Sequence, residues 1–507
     1  MRIFLINPPS TRHETQSWVW LEPLGLAYIA AVCRQAGHEV RIRDTVNTAQ
    51  ADIPGLFAEM DAFRPDLVGF SAMTENFSNG VRLARAVKAR YSCAIVFGGW
   101  HVSGEPQAVL DPAIDYVVRS EGEDTILELL DCLQGRGERL ENIQGIAYKD
   151  GKGGYHLTPP RARIKKLTNL PRPMREGLPI ESYKWSQIFS VPVSRMKTLS
   201  VQASRGCPYK CIFCQTPALW TAQWTKRDAT DVVDEIEELV NRYGINTLFF
   251  RDEEFTVRPN WVMEICEELC RRDLPKKVRW GSFARVDDAS PELVTAMRKA
   301  GCLYVIMGIE ASTKEEGERL KKVYTLEEAK NAFELFAKAG VNAQGSWVMG
   351  FPWDTLETLD RAFEWILTLP MTYLVVNFAT PFASTALRDY VEKEGLLLSA
   401  DTDRFTIREP LIQVPAIPME TLRTLRSHYE RRFYLRPGQI AHMAGMCLRN
   451  PSWLRMIAEI VWDNSLRRFS FGQGARDAAV DGAFTVPPEY FSPLAAASEK
   501  LKEASAA

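Results

Sequence analysis

Two series of short apolar runs, each run separated from the next by an amphipathic stretch, organise most of this chain. In the first series, residues 2–7, Val40–Asp44, Leu67–Ala72, Ala94–Phe97 and Tyr116–Val118 have strand length. Between them, residues 24–37 and 79–90 carry apolar positions at helical spacing. Apolar strands alternating with helices belong to a parallel sheet covered on both faces. Its crossovers are right-handed, and its ligands bind outside the carboxyl ends of the strands.

The second series begins with a strand at Thr198–Ala203. Strands at Thr247–Phe250, Val278–Trp280, Leu303–Met307, Gly345–Met349 and Tyr373–Phe378 follow. Helices at Ala229–Arg242, Asn260–Arg272, Pro291–Ala300, Leu326–Ala339 and Leu359–Leu367 separate them. Six such strands are fewer than a closed eight-stranded barrel needs. Between the two series, residues 144–149 and 155–157 flank the glycine-rich Asp150–Gly154, which predicts a hairpin. Pro159-Pro160 and Leu170–Pro173 then read as a stiff, extended link.

Beyond Tyr390 the pattern loosens. Helices are expected over Met419–Phe433, near 438–448 and over 451–468, and 470–507 has the composition of a partly disordered tail. Arg423, Arg426, Arg431 and Arg432 form either a solvated helix face or a reach towards an anionic ligand. The expected division is 1–142, a hairpin and linker over 143–195, a core over 196–390, and a mainly helical region over 391–507.

Net charge is −2, so the chain has no broad attraction to nucleic acid, and no added basic module is visible. No uninterrupted apolar stretch is long enough to span a membrane, and the start reads as a buried strand rather than a leader. A cytoplasmic location is expected. Ten cysteines are scattered apart from one triplet, which is not a disulfide framework. Cys266 and Cys270 read as ordinary helix residues.

Chemistry gathers at the strand ends. In the first series these are Asn7-Pro8-Pro9-Ser10, Ser71-Ala72-Met73-Thr74, Gly98-Gly99-Trp100-His101 and Ser120-Glu121-Gly122-Glu123. Paired glycines let backbone approach a bulky ligand, and free N–H groups at helix starts can hold phosphate or amide oxygens. The residues alone support a ligand-binding α/β domain.

After the first strand of the second series comes the triplet Cys207, Cys211 and Cys214, spaced C-x3-C-x2-C. Three thiolates hold a [4Fe–4S] cube by three corners and leave one iron open. A structural zinc site would want a fourth donor nearby, and the loop has no histidine.

This loop, with Phe213 between its last two cysteines, resembles the signature of radical S-adenosylmethionine (SAM) enzymes. The order Asn-Pro-Pro, Pro23–Leu26, Gly98-Gly99-x-His101 and Glu121-Gly122-Glu123 resembles the cobalamin domain that precedes many such cores. The chain thus resembles the cobalamin-dependent radical SAM family, in particular its class B methyltransferases.

The resemblance implies an α/β architecture: a Rossmann-like cobalamin-binding domain, a (β/α)6 partial TIM barrel, and a mainly helical C-terminal region. It implies a [4Fe–4S] cluster, SAM and cobalamin as cofactors, a reducing protein such as flavodoxin or ferredoxin, and a small-molecule or natural-product substrate. Cobalamin contacts are then expected from Asn7, Pro8, Ser71, Thr74, Gly98, Gly99, His101, Glu121, Gly122 and Glu123. The Asp-x-His-x-x-Gly signature is absent, so His101 is expected as wall or structure rather than as a cobalt ligand. SAM contacts are expected from Phe213, Asp252, Glu253, Ser282, Arg285, Glu310, Gly350 and Pro352. Methyl transfer to an unactivated carbon is the implied reaction, with no protein acid or base required. The alternatives are cyclisation, oxidation or rearrangement without net methylation, and a noncatalytic cluster or corrin carrier.

Overall fold

The computed structural model describes residues 1–10, 19–45, 52–185 and 195–449, together with Leu454, Val486 and Tyr490. Apart from those last three positions, the helix expected over 451–468 and the tail at 470–507 lie outside the described residues.

The first series forms a sheet of β1 (Arg2–Asn7), β2 (Glu39–Asp44), β3 (Leu67–Ser71), β4 (Ala94–Gly98) and β5 (Tyr116–Val118). These strands are parallel, in the order β2-β1-β3-β4-β5. The hairpin read at the join, β6 (Ile146–Lys149) and β7 (Tyr155–Leu157), adds to β5 as an antiparallel edge.

Alternation along β1 divides its side chains between two cores. Ile3 and Leu5 pack with α1 (Leu24–Gln35) and with a later helix that starts at Glu123. Phe4 and Ile6 pack with α2 (Ile53–Phe63) and α3 (Phe77–Arg90). The helix α2 has no counterpart in the sequence reading. It is short, and Pro54 and Gly55 sit in its first turn, where they blur helical periodicity. Its start signal is Asp52, whose side chain accepts from the Gly55 N–H at 2.9 Å. Strand order reverses between β1 and β3, which opens a crevice above their carboxyl ends. After β4 comes α4 (Trp100–Gly104), and after β5 comes α5 (Glu123–Leu133).

The second series is a six-stranded, all-parallel sheet: β8 (Thr198–Val201), β9 (Thr247–Phe250), β10 (Arg279–Phe283), β11 (Cys302–Gly308), β12 (Asn342–Met349) and β13 (Tyr373–Phe378). Neighbours follow chain order throughout. With right-handed crossovers, this order sends the helices to one face. Apart from α6 (Thr216–Trp220), which meets α4 of the first domain, they are α7 (Ala229–Tyr243), α8 (Pro259–Arg271), α9 (Pro291–Lys299), α10 (Lys314–Leu320), α11 (Leu326–Lys338) and α12 (Leu356–Leu367). Trp347 of β12 shows that face, packing on Phe363 of α12 and on Tyr429 of a C-terminal helix, Met419–Tyr434. The other face carries Phe249, Tyr304 and Ile306. Trp185, from the linker, covers it and stacks on Phe249 at 3.8 Å.

The apolar core around α1 and α5 continues without a break into the second sheet. The core and the C-terminal region also reach back to the first domain: Ser384 donates to the Gly104 carbonyl at 3.1 Å, and Asp403 pairs with Arg82 at 3.2 Å. Among the described residues no helix is long and apolar enough to cross a membrane.

Candidate functional site

The carboxyl ends of both sheets open onto one cavity of about 660 Å3. From the first domain it is lined by Asn7, Ser71, Gly98, Gly99, Glu121, Gly122 and Glu123, and from the second by Asp252 and Glu253. These positions lie far apart in sequence. Right-handed crossovers bring them together by ending every parallel strand on the same side.

Asn7 donates to Asp44 at 2.9 Å, which fixes its side chain at the end of β1. Gly99 has φ +111°, and a Cβ there would come within 2.7 Å of the Ala72 carbonyl oxygen. Glycine is therefore required for β4 to turn so close beside β3. Pro8, Thr74 and His101 do not line the cavity. His101 is 2% exposed, its ring 4.1 Å from that of Phe77 and its Nδ1 3.3 Å from Thr74 Oγ1. Burial pulls its pKa down to about 4, so the ring stays neutral.

A buried ionic seam joins the domains along the cavity. Arg205 donates to Glu123 at 2.6 Å, to Glu121 at 3.2 Å and to Gln202 at 2.9 Å. Arg163, from the linker, donates to Glu121 at 2.9 Å and to the Trp220 carbonyl at 3.0 Å. Trp220 in turn meets Trp100 edge-on at 6.1 Å. Farther along, Arg175 joins Glu22, Glu235 and the Ser200 carbonyl.

The cysteine loop leaves the second sheet from this seam. Gly206 has φ +87°, and a Cβ there would sit 2.1 Å from the Gln223 carbonyl oxygen. Its N–H donates to Glu253 at 2.8 Å. Glu253 therefore touches the cavity on one side and orients the cysteine loop on the other. The loop is clamped by Ile212, whose N–H donates to Leu320 at 3.1 Å and whose carbonyl accepts from Leu387 at 2.9 Å. Cys207, Cys211 and Cys214 are all half-buried. Without iron, burial pushes Cys207 up to about 12 and Cys211 up to about 11.

Among the described residues no three Cys, His, Asp or Glu side chains converge as ligands of a single ion. Three thiols on a loop that holds no histidine, aspartate or glutamate fit a cluster held at three corners better than zinc, which wants a fourth donor.

The other residues expected around the loop fall into two groups. Phe213 lies 5.9 Å from Phe351, and Arg285 sits 3.7 Å over the Tyr209 ring while pairing with Asp287. Glu310 pairs with Lys322 at 2.5 Å, and both act electrostatically on Cys211. The turn at Gly350 and Pro352 is held by Asp354, which accepts from the N–H groups of Gly350 and Phe351 at 2.7 and 2.9 Å. By contrast, Asp252 is committed to its own chain: it accepts from Ala203 N at 3.1 Å and from Ser204 Oγ at 2.5 Å. Burial pushes its carboxyl up to about 7. Ser282 is fully buried, and among the described residues its hydroxyl has no partner.

Sequence reading missed Arg163, Arg205, Arg251, Lys322 and Asp354. Arg205 stands two residues before the first cysteine, and Arg251 directly before Asp252, but spacing gives no sign of where either points. The arginines of the C-terminal helix find local partners: Arg426 donates to the Val376 carbonyl and Arg432 to Glu364, at 2.8 and 2.7 Å.

Comparison with known proteins agrees with this arrangement. Residues 20–130 match the B12 binding domain, and residues 201–366 match the Radical SAM superfamily. The chain is 31% identical to an uncharacterized methyltransferase of Pyrococcus horikoshii, over 86% of this chain and 93% of that one. It is 27% identical to the anaerobic magnesium-protoporphyrin IX monomethyl ester cyclase of Rubrivivax gelatinosus, over 86% and 84%. Its fold is similar to that of the radical SAM methyltransferase TsrM of Kitasatospora setae, solved with cobalamin and a [4Fe-4S] cluster. The TM-score there is 0.64 at 19% identity, covering 85% and 81% of the two chains.

Proposed function

The chain belongs to the family that joins a B12-binding domain to a radical SAM core, and from that premise we propose that it is a methyltransferase acting on an unactivated carbon of a small molecule. One observation carries the reading: a single cavity lies between the strand ends of both domains, and Glu253 links that cavity to the cysteine loop.

In this reading the second sheet is a (β/α)6 partial barrel whose open mouth the first domain covers. Cys207, Cys211 and Cys214 hold a [4Fe–4S] cluster. Phe213, Arg285, Glu310, Gly350 and Pro352 surround SAM at the open iron, and Asn7, Ser71, Gly98, Gly99, Glu121, Gly122 and Glu123 wall the corrin. When bound, these groups supply the electron, the carbon radical and the transferable methyl group, chemistry that no side chain of the protein provides.

The chain's own residues position and enclose. The turn at Gly99 lets the first domain's backbone approach a broad planar ligand closely. Glu253 fixes where the cysteine loop starts. The seam of Arg205, Arg163, Glu121 and Glu123 closes one side of the chamber to water, which a reactive carbon radical requires. An external reductant such as flavodoxin or ferredoxin completes the system.

The test is anaerobic reconstitution with iron, sulfide, cobalamin and SAM, followed by mass analysis with candidate substrates. S-Adenosylhomocysteine and 5'-deoxyadenosine formed together, with a product one methylene heavier, support methyl transfer. Deoxyadenosine alone, with a product of altered unsaturation, would favour a cyclase or oxidase, the reading that the 27% identity to a cyclase keeps in play. No SAM cleavage under any condition would leave only a carrier.

A further inference from the structure

We propose that Arg251 receives an acidic group of the substrate, a carboxylate or a phosphate, and that Phe283 beside it supports the substrate's apolar body. The proposal rests on reading the cavity between the domains as the reaction chamber.

The placement follows from strand geometry. Arg251 directly follows β9, and its N–H donates to the Val201 carbonyl at 2.9 Å. Side chains alternate along a strand, so Arg251 shares a face with Phe249, which lies on the side away from the helices. β9 pairs with β10 in the register Thr247 with Arg279, Leu248 with Trp280 and Phe249 with Gly281. Two more steps set Arg251 opposite Phe283. Both line the cavity, and Phe283 is 36% exposed although it is a large apolar side chain. Its ring edge is propped by Phe249 at 5.6 Å.

Charge pairing then singles out the arginine. Arg205 is shared between Glu121, Glu123 and Gln202. Glu22 accepts from the Ser200 N–H and from Arg175. Asp252 is held by Ala203 and Ser204, and Glu253 by Gly206. Glu22, Glu253 and Glu75, which also lines the cavity, act on Arg251 only through space. Among the described residues no hydrogen bond or ion pair closes on its guanidinium.

Arg251 is exposed to the cavity rather than buried, so its guanidinium donors are open to a ligand that enters there. Its planar fork of N–H groups matches two oxygens of one carboxylate or phosphate, a match that a lysine does not reproduce. An apolar shelf next to such a fork suits a ligand with a planar or greasy body and an acidic end. Two cofactor anions could enter the same chamber, the carboxylate of SAM and the phosphate of the corrin's nucleotide tail, so the test must separate these sources.

The probe is phenylphosphonate, with inorganic phosphate as its counterpart lacking an apolar body. Both are titrated calorimetrically into anaerobic holoenzyme for wild type, R251K, R251Q and F283A. Wild type is expected to bind phenylphosphonate saturably, and about tenfold tighter than phosphate. R251Q should weaken phenylphosphonate by about tenfold or more, the loss of a charge-assisted pair, with R251K between the two. F283A should bring the two probes close to equal affinity. SAM affinity and cobalamin content should not change in R251Q.

No saturable binding to wild type, or equal binding to R251Q, overturns the proposal. A tenfold loss of SAM affinity or of cobalamin in R251Q, with phenylphosphonate unaffected, also overturns it and assigns the arginine to a cofactor. The titration does not depend on turnover. Failure of wild type to take up cobalamin or to cleave SAM would instead overturn the methyltransferase reading itself.

Discussion

Arg205 Nη2 lies 2.6 Å from Glu123 Oε1, and the two side chains, from different domains, are each 5% exposed. Glu123 opens α5, where a carboxylate also meets the positive end of the helix dipole. Arg205 sits two residues before Cys207, so the ion pair couples the wall of the first domain to the start of the cysteine loop. Both charges are desolvated, and their value lies in being matched.

Removing one partner should therefore be severe. Arg205→Ala leaves Glu121 and Glu123 facing each other without a shared cation. A loss of roughly 3–5 kcal/mol is expected, as for other broken buried pairs. Arg205→Met with Glu123→Leu should recover much of it, because both charges go together. Urea denaturation of wild type and these two variants checks this. A single-mutant loss below about 1 kcal/mol would mean that water reaches the seam.

Cysteine replacements should separate by location. Cys211→Ala should abolish deoxyadenosine formation and lower bound iron, because three thiolates are the minimum set on the loop. Cys266, buried on α8 within the core, should behave differently. Cys266→Ala should leave iron content unchanged and cost on the order of 1 kcal/mol in stability for the small cavity it creates. Iron analysis and melting of both variants test the contrast. Full-rate SAM cleavage by Cys211→Ala would refute the cluster assignment.

Legibility in the sequence followed the range of the signals. Most strands of both sheets were readable as short apolar runs between turns, Glu39–Asp44 only through Val40 and Ile42 alternating with charged residues, and the cysteine loop because its spacing is local. The hairpin at 144–157 was readable as a hairpin, but its membership of the first sheet was not, since pairing with Tyr116–Val118 depends on long-range register. The helix at Ile53–Phe63 was lost to the Pro and Gly in its first turn. Asp252 and Glu253 show the limit most clearly. They are adjacent acids that both line the cavity, yet Asp252 is fully buried on Ala203 and Ser204 while Glu253 is partly exposed and holds Gly206, where the cysteine loop starts. Only the path of the chain after β8 decides between them.

His101 should make stability fall in mild acid. Its folded pKa, about 4, is below the ordinary value of 6.5, so between these the unfolded chain binds more protons. The contribution is present above pH 6.5 and is lost as pH falls towards 4, on the order of 3 kcal/mol in all. His101→Gln should remove this part of the acid sensitivity, as judged by melting at pH 5 and pH 7. Since the ring faces Thr74 and Phe77, the electron paramagnetic resonance of bound cob(II)alamin should also be the same in His101→Gln. A change in nitrogen coupling on replacement would show His101 to be a cobalt ligand.

Asp354 should give the opposite pH dependence. One carboxylate oxygen accepts from both Gly350 and Phe351, and burial pushes the carboxyl up to about 7. The folded state therefore favours the protonated acid, and this contribution is lost as pH rises from about 4 through 7. Asp354→Asn keeps an acceptor for the turn without a buried charge. It should match wild type near pH 5.5 and melt higher at pH 8.5. Asp354→Ala leaves two backbone donors unpaired and should cost roughly 2 kcal/mol or more at either pH. Phe351 would then lose its fixed position beside Phe213, so Asp354→Ala should also bind SAM more weakly while retaining its iron. Melting curves at both pH values, with SAM titration of the reconstituted variants, test this. Equal stability of the Ala and Asn forms would show that the turn at Gly350 does not depend on this carboxylate.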